Sequence, residues 1–220
     1  MLYILHGDDE FTRAEMIADL KAQVLAEGMG DLNISVQDGR QLDLAELINT
    51  CNTIPFLTTR RLVIVENLLQ REPQVDSAAD DAPPAARRPS IVPGLLEYLP
   101  HMPASTRLVL VESRTLRPSH PLLKVCRESN ECYVREYKRP TDGELPRWIE
   151  QRAARHGARI APQAATLLAQ YVSPRSSSSG RDDDARPVLR TLDAELAKLA
   201  AYQDYAGTVT AEDVRALVNR

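Results

Sequence analysis

The chain has 220 residues, of which 43% are hydrophobic and 26% are charged, enough for one large or two modest domains with hydrophobic cores. Its 27 Lys and Arg against 31 Asp and Glu give a net charge of −4. This balance argues against a strong, autonomous nucleic-acid binder, because such binding needs clustered cations. DNA contact inside a larger assembly is compatible with it.

The cysteines and the apolar runs indicate the compartment. Cys51, Cys126 and Cys132 are unclustered and form no CxxC. They therefore signal neither a disulfide framework nor a zinc site, and we expect small buried residues in a reducing compartment. No apolar run approaches the roughly 20 residues of a membrane span, and the N-terminus lacks the pattern of a secretion signal. The prediction is a cytoplasmic protein without membrane contact.

In chain order, the first part of the sequence alternates between strand and helix patterns. Apolar or alternating runs predict five strands, at 2–5, 32–36, 61–66, 107–112 and 132–137. Helical spacing predicts four helices, at about 11–25, 43–52, 92–99 and 121–129. The third and fourth strands are β-branched runs, typical of strands buried on both faces. The pattern predicts an α/β fold, a parallel sheet with helices on both faces.

After Pro140 the patterns are purely helical. Thr141 and Glu144 have the spacing of a capping box, Pro162 lies near a helix start, and Thr210 is placed to cap the last helix. Trp148 is expected in the core. We predict an α/β domain at 1–139 and a small helical domain at 140–220. Flexible segments are expected at about 71–89 and about 174–186, where Pro, Ala, Ser, Gly and Asp dominate.

Charged residues of both domains are interpreted as surface features. Glu195 and Lys198 are spaced i,i+3 and can pair on the exposed side of a leucine stripe. The arginine-rich stretches are predicted to be solvated faces rather than DNA sites. They are Arg60-Arg61, Arg87-Arg88, and Arg152 with Arg155.

The first strand, a glycine turn and a helix form the setting of a phosphate-binding loop, GxxxxGK[ST]. The stretch at this place is Gly7-Asp8-Asp9-Glu10-Phe11-Thr12-Arg13-Ala14. Thr12 stands where the second glycine would be, Arg13 where the lysine would be, and Ala14 where the Mg²⁺-binding hydroxyl would be. Asp8, Asp9 and Glu10 put carboxylates at the helix N-terminus, where a phosphate would otherwise bind. The sequence predicts a degenerate loop that does not bind nucleotide.

Two enzymatic alternatives stay open at this point. In an active ATPase or kinase, Arg13 would replace the lysine. In a Mg²⁺-dependent phosphatase, Asp8 would need further carboxylates, and Glu66 and Glu112 are the only other acids at strand ends. The four histidines lack metal-ligand spacing and GxSxG is absent, so no catalytic residue, metal ligand or cofactor is assigned.

The segment before the third strand, Thr53-Ile54-Pro55-Phe56-Leu57-Thr58-Thr59-Arg60, has two interpretations. Pro55 breaks the preceding helix and fixes a turn. Phe56 is one of two phenylalanines, and it is either part of the core under the sheet or exposed on the turn. An exposed Phe56 would form a hydrophobic plug for a partner's pocket, the usual form of an interface hot spot.

Five short motifs follow one another along nearly the whole chain. They are 3–11, the turn 54–57 with the strand 61–67, 145–149, 195–199 and 210–214. Each is weak alone, but the ordered set is specific, and it resembles the delta subunit of the bacterial DNA polymerase III clamp loader. The resemblance implies an AAA+-type, P-loop-like domain without functional nucleotide binding, followed by a helical lid domain. The family's third, collar domain is expected to be missing here, as in a fragment.

The resemblance also implies a function. Delta subunits bind the ring-shaped beta sliding clamp and open it for loading onto primed DNA, while other loader subunits hydrolyse ATP. Expected partners are the beta clamp, the gamma/tau and delta prime subunits, and primed DNA only within the assembled complex. No ATP hydrolysis is expected of this subunit of a DNA-directed DNA polymerase holoenzyme. The clamp-contacting pair falls on Pro55 and Phe56, with Ile54 and Leu57 extending the patch; some members have leucine where this chain has Pro55.

Overall fold

The computed structural model describes residues 1–28, 30–71, 90–172 and 188–218. The predicted flexible segments, beyond Arg71 and at about 174–186, lie outside these residues. The chain divides into two compact units, Met1–Lys138 and Arg139–Arg220. Among the described residues, no helix combines the length and the apolar character needed to cross a bilayer.

The first unit is a five-stranded parallel sheet with helices. Its strands are β1 (Leu2–His6), β2 (Ile34–Asp38), β3 (Arg61–Glu66), β4 (Thr106–Glu112) and β5 (Cys132–Glu136), in the spatial order β2-β3-β4-β1-β5. Its helices are α1 (Glu10–Leu25), α2 (Leu44–Asn52), α3 (Val92–Tyr98) and α4 (Pro121–Glu128). The predicted parallel α/β fold is confirmed.

The sheet is buried on both faces because its central strands are apolar at consecutive positions. On one face, Ile4, Val63 and Leu110 belong to a core cluster that also contains residues of α2, α3 and α4. On the other face, Leu5, Ile64 and Val109 cluster with residues of α1. The β-branched runs of the third and fourth strands therefore predicted the central strands correctly.

The second strand is shifted relative to its prediction. Residues 30–33 form a 3₁₀ turn, and β2 begins at Ile34 instead of Leu32. Leu32 is exposed and Asn33 is fully buried. The alternating pattern correctly indicated a strand. It could not show that Asn33 lies outside the backbone ladder and makes its hydrogen bonds to Phe56 through its side chain.

The prediction that no disulfide is formed was wrong for one pair. Cys126, in the last turn of α4, is joined to Cys132, the first residue of β5, with their Cα atoms 5.1 Å apart. A short connection returns the chain from α4 to the sheet, which brings the two together although no CxxC motif is present. Cys51 is a free, buried cysteine, as expected.

The second unit contains α5 (Leu145–Arg155), α6 (Pro162–Val172), α7 (Val188–Tyr202) and α8 (Ala211–Leu217). The sequence predicted only helices here, but two short strands, β6 (Arg159–Ile160) and β7 (Thr208–Val209), pair in parallel. A two-residue strand is too short for its periodicity to be recognised in sequence. Thr210 caps α8 in a complete capping box with Asp213, which confirms its predicted role.

The start of α5 differs in detail from its prediction. The Glu144 carboxylate accepts hydrogen bonds from the Thr141 N–H and hydroxyl at 2.9 and 2.7 Å, but the helix begins at Leu145. Trp148 is only partly buried, so it is not the full core residue that was expected. Leu192, Leu196 and Leu199 are buried, and Lys198 pairs with Glu195 as predicted.

Candidate functional site

The turn between α2 and β3 presents three apolar side chains to solvent. Ile54 is 84% exposed, Phe56 54% and Leu57 71%, while Pro55 is half-buried. Helix α2 ends at Asn52, and Thr53 after it is already extended. Pro55 has no N–H to continue a helix. The chain therefore leaves the helix before the three apolar residues, and Phe56 is exposed rather than part of the core.

The backbone of this turn is held by side chains from elsewhere in the unit. The Phe56 N–H donates to Oδ1 of Asn33 at 2.6 Å, and Nδ2 of Asn33 donates to the Phe56 carbonyl at 2.8 Å. On the other side of Leu57, the N–H and hydroxyl of Thr59 donate to the Glu27 carboxylate at 2.9 and 2.8 Å. The exposed side chains therefore project from a fixed backbone.

Leu57 has a φ of +54°, in the left-handed region that side chains other than glycine rarely adopt. Such a conformation persists only where the surroundings impose it, and it occurs often at binding sites. The contacts of Phe56 and Thr59 impose it here. Neither Asn33 nor Glu27 was recognised from the sequence, because each lies at least 23 positions from its partner in the turn.

The loop after β1 is closed by its own side chains and by the neighbouring backbone of Tyr137. Gly7 has a φ of +124°, and a Cβ at this position would collide with the backbone of Tyr137. The Asp9 carboxylate accepts a hydrogen bond from the Thr12 N–H at 3.0 Å and caps α1. This carboxylate occupies the position at which a helix N-terminus would bind an anion. Asp8 and Glu10 are exposed.

Arg13 turns back into the loop instead of reaching out of it. Its guanidinium Nη1 donates to the carbonyl oxygen of Gly7, and the side chain is buried. Burial lowers the pKa of Arg13, while the carboxylates of Glu10 and Asp9 oppose that shift. An arginine held in this way fills the loop rather than offering a charge to a phosphate.

Glu112 is an acidic residue at the end of β4 whose environment differs from that of an ordinary surface carboxylate. It is fully buried, and its Oε1 accepts a hydrogen bond from the Leu69 N–H at 2.8 Å. Burial raises the pKa of Glu112 to about 7, against the effects of the Leu69 N–H and of the Arg114 and Arg13 charges. The sequence identified it as a strand-end acid but could not indicate its burial. Across the described ranges, no three His, Cys, Asp or Glu side chains are grouped to hold a metal ion.

The helical unit contains a charge cluster that the sequence interpretation missed. The Arg152 guanidinium donates to Oδ1 of Asp193 at 2.5 Å, and His156 Nε2 lies 2.6 Å from the same oxygen. Arg152 is buried, so its prediction as part of a solvated face was wrong. Spacing within α5 could not show that Asp193 of α7 packs against it.

A family model matches the part of the chain that contains the loop after β1 and the exposed turn. Residues 3–83, which contain both the degenerate loop and the exposed turn, match the family model described as DNA polymerase III, delta subunit. The sequence resemblance to delta subunits is thereby confirmed.

Two relatives, both from Bacillus subtilis, extend the comparison. The DNA polymerase III subunit delta of strain 168 is 33% identical over 66 residues, which are 30% of this chain and 19% of that protein. The solved structure of the DNA clamp loader delta protein (YqeN) superposes with a TM-score of 0.77 and 23% identity. It covers 100% of this chain and 58% of that one. This likeness supports the fold, a parallel α/β unit followed by a helical unit. The chain spans less than two thirds of the length of both relatives.

Proposed function

We propose that this chain acts as a clamp-loader delta subunit of DNA polymerase III. In this role it binds the beta sliding clamp through the exposed turn and opens the ring for loading onto primed DNA. The family match covers the whole turn and the loop after β1. The turn supplies the physical basis for contact with a partner, and the loop gives the reason to assign ATP hydrolysis to other subunits.

The observation that carries the proposal is the exposure of Phe56 on a fixed backbone. Single exposed apolar residues are common on protein surfaces, but three within four consecutive positions form a patch of the kind that partners cover. An aromatic anchor held in its binding geometry loses little conformational entropy on association. Ile54, Pro55 and Leu57 are proposed to surround Phe56 in the clamp's pocket.

The proposal that other subunits hydrolyse ATP follows from the contacts within the loop after β1. With Asp9 capping α1 and Arg13 bonded to Gly7, the chain is proposed to have no ATPase activity and no cofactor of its own. Its partners would be the beta clamp, the gamma/tau and delta prime subunits, and primed DNA only in the assembled complex. A role in replication places it in the cytoplasm.

The test is equilibrium binding of the chain to its cognate clamp without ATP, for wild type and for Phe56→Ala. We expect wild type to bind and Phe56→Ala to lose roughly 2–4 kcal/mol, about 30- to 1,000-fold in Kd. Tyr202→Ala is the matched control, because Tyr202 is an aromatic residue that is 60% exposed in the other unit. It should bind like wild type.

The possible results separate function from site. Absence of wild-type binding would contradict the proposed function. Binding that Phe56→Ala and Tyr202→Ala both leave unchanged would keep the function and reject the turn as its anchor.

A further inference from the structure

We propose that Asn33 is a positioning residue for the clamp-binding turn and acts through the backbone of Phe56. This inference rests on the proposed function, because it assigns to Asn33 the presentation of the anchor that the clamp would bind. Asn33 itself is fully buried and would not touch the partner.

The first argument is the match between the Asn33 carboxamide and the backbone N–H and carbonyl of Phe56. The Asn33 carboxamide uses its oxygen for the Phe56 N–H at 2.6 Å and its nitrogen for the Phe56 carbonyl at 2.8 Å. This two-point contact satisfies both backbone groups of one residue, as a neighbouring strand would. It fixes the orientation of the Phe56 peptide groups, and with it the direction in which the aromatic side chain leaves the backbone.

The second argument is the position of Asn33 in the sheet. Asn33 directly precedes β2, and the parallel ladder of β2 with β3 begins with Ile34 opposite Leu62. Phe56 lies before the start of β3, so no backbone ladder with β2 reaches it. The Asn33 side chain continues the contact between the two chain segments beyond the end of the ladder.

The third argument is the conformation next to the contact. Leu57 follows Phe56 with a φ of +54°, a conformation that needs support from its surroundings. Asn33 fixes the residue before it, and Glu27 fixes Thr59 two residues after it. Without the contact to Asn33, the turn would sample other conformations and Phe56 would be presented in only a fraction of the molecules.

The chemistry of the side chain distinguishes this role from filling space. Aspartate has the same shape and keeps an acceptor for the Phe56 N–H, but in its ionised form it has no donor for the Phe56 carbonyl and places a negative charge against it. Alanine loses both. Asn33→Asp and Asn33→Ala therefore separate the two halves of the contact. Asn33→Asp also retains the side-chain volume, in case the cavity left by alanine impairs folding.

The first measurement is amide hydrogen exchange by NMR on the free protein, which needs no partner. We expect the Phe56 amide to exchange at least about tenfold faster in Asn33→Ala and to remain protected in Asn33→Asp. Amides of β1 and β4 should be unchanged. Asn49→Ala, at an exposed asparagine on α2, is the matched control. Unchanged exchange of the Phe56 amide in Asn33→Ala would overturn the proposal.

The second measurement is a double-mutant cycle in clamp binding. If one molecule in ten keeps the turn in its binding conformation, Asn33→Ala weakens binding about tenfold. In a Phe56→Ala background the same change should cost less than about twofold, because the anchor that Asn33 presents is gone. Equal losses in both backgrounds would show that Asn33 does not act through Phe56.

The two measurements also separate this inference from the proposed function. If wild type does not bind the clamp, the proposed function fails, and the role of Asn33 in it fails as well. The exchange result would then still show whether Asn33 holds the turn.

Discussion

Arg13 donates a hydrogen bond to the carbonyl oxygen of Gly7, six positions earlier in the chain. In a working phosphate loop the basic residue at this position extends toward the phosphates of the nucleotide. Here it closes the loop on itself, at the same helix end that Asp9 caps. The loop has the outline of a nucleotide site, but the Arg13 guanidinium and the Asp9 carboxylate are bonded within the loop, and the N–H groups of Gly7 and Asp9 donate to neighbouring backbone carbonyls.

Because these groups are already bonded, ATP with Mg²⁺ is expected to leave the melting temperature unchanged at millimolar concentration. A ligand present at 100 times its Kd would stabilise the fold by about 2.7 kcal/mol, which differential scanning fluorimetry detects. Inorganic phosphate provides a control for general salt effects. A rise in melting temperature that Arg13→Met removes would restore the interpretation as an active ATPase or kinase.

Arg13 is expected to stabilise the α/β unit. Arg13→Ala removes the donor to the Gly7 carbonyl and the packing of a buried stem, which should cost roughly 1–3 kcal/mol of unfolding free energy. Urea denaturation measures it. Arg13→Met keeps most of the packing and should recover part of the loss, while Lys124→Ala, at an exposed position of α4, should be neutral. Equal stability of wild type and Arg13→Ala would refute the structural role.

Glu112 should make stability depend on pH. Its folded-state pKa of about 7 exceeds the ordinary value of 4.5, so the folded state holds a proton that the unfolded state releases. The stability contributed by this proton is present at low pH and is lost as pH rises from about 4.5 to about 7. Glu112→Gln removes that loss and can keep the hydrogen bond from the Leu69 N–H.

The expected readout is a difference between two stability curves. Glu112→Gln should match wild type near pH 4.5 and exceed it by up to about 3 kcal/mol above pH 7, since each pKa unit corresponds to about 1.36 kcal/mol. Glu66→Gln, at the exposed end of β3, is the matched control, and its curve should parallel wild type. A pH-independent difference between Glu112→Gln and wild type would contradict a buried, titrating Glu112.

Asp193 is expected to hold the helical unit together. Burial alone would raise its pKa, but the hydrogen bonds from Arg152 and His156 outweigh burial and lower it. Asp193→Asn removes the negative charge that Arg152 and His156 contact and should cost about 2–3 kcal/mol at pH 7. Because the pKa is below the ordinary 3.8, this stabilisation is present above that pH and disappears as the carboxyl is protonated in acid.

Trp148, the only tryptophan, lies on α5 beside this cluster in sequence and provides a fluorescence signal for the unfolding of Asp193→Asn. Glu150→Gln, at an exposed position of the same helix, is the control and should leave the midpoint unchanged. If Asp193→Asn unfolds at the same denaturant concentration as wild type, the cluster does not stabilise the unit.

The parts of this molecule that the sequence predicted are those specified by local pattern. The β-branched run of β3 indicated a central strand, because every second residue packs on each face. The absence of GK[ST] after Gly7 indicated a loop without the usual phosphate ligands. Pro55 indicated where the turn lies. The assignment of the four turn residues to a clamp stays a prediction.

The sequence could not predict contacts between distant segments. Asn33 looks like one more residue of an alternating strand until the fold brings Phe56 to it. Arg152 looks like a surface arginine until Asp193 of α7 packs against it. Glu112 ends a strand as Glu66 does, and only the segment after β3 determines which of the two is buried. In each case a polar group meets a partner that no local spacing specifies.

The exposed turn and the closed loop lie at opposite ends of the strands of one parallel sheet. The turn precedes β3, whereas the loop follows β1, and these strands have six and five residues, so about 17–20 Å of packed sheet separates the two places. Substitutions in a loop at that distance are expected to be nearly independent of substitutions in the turn. Nucleotide binding could therefore be lost at the loop after β1 without impairing the turn before β3. For the same reason, a fluorophore at the exposed Asp8 would report on the protein without disturbing its proposed contact with the clamp.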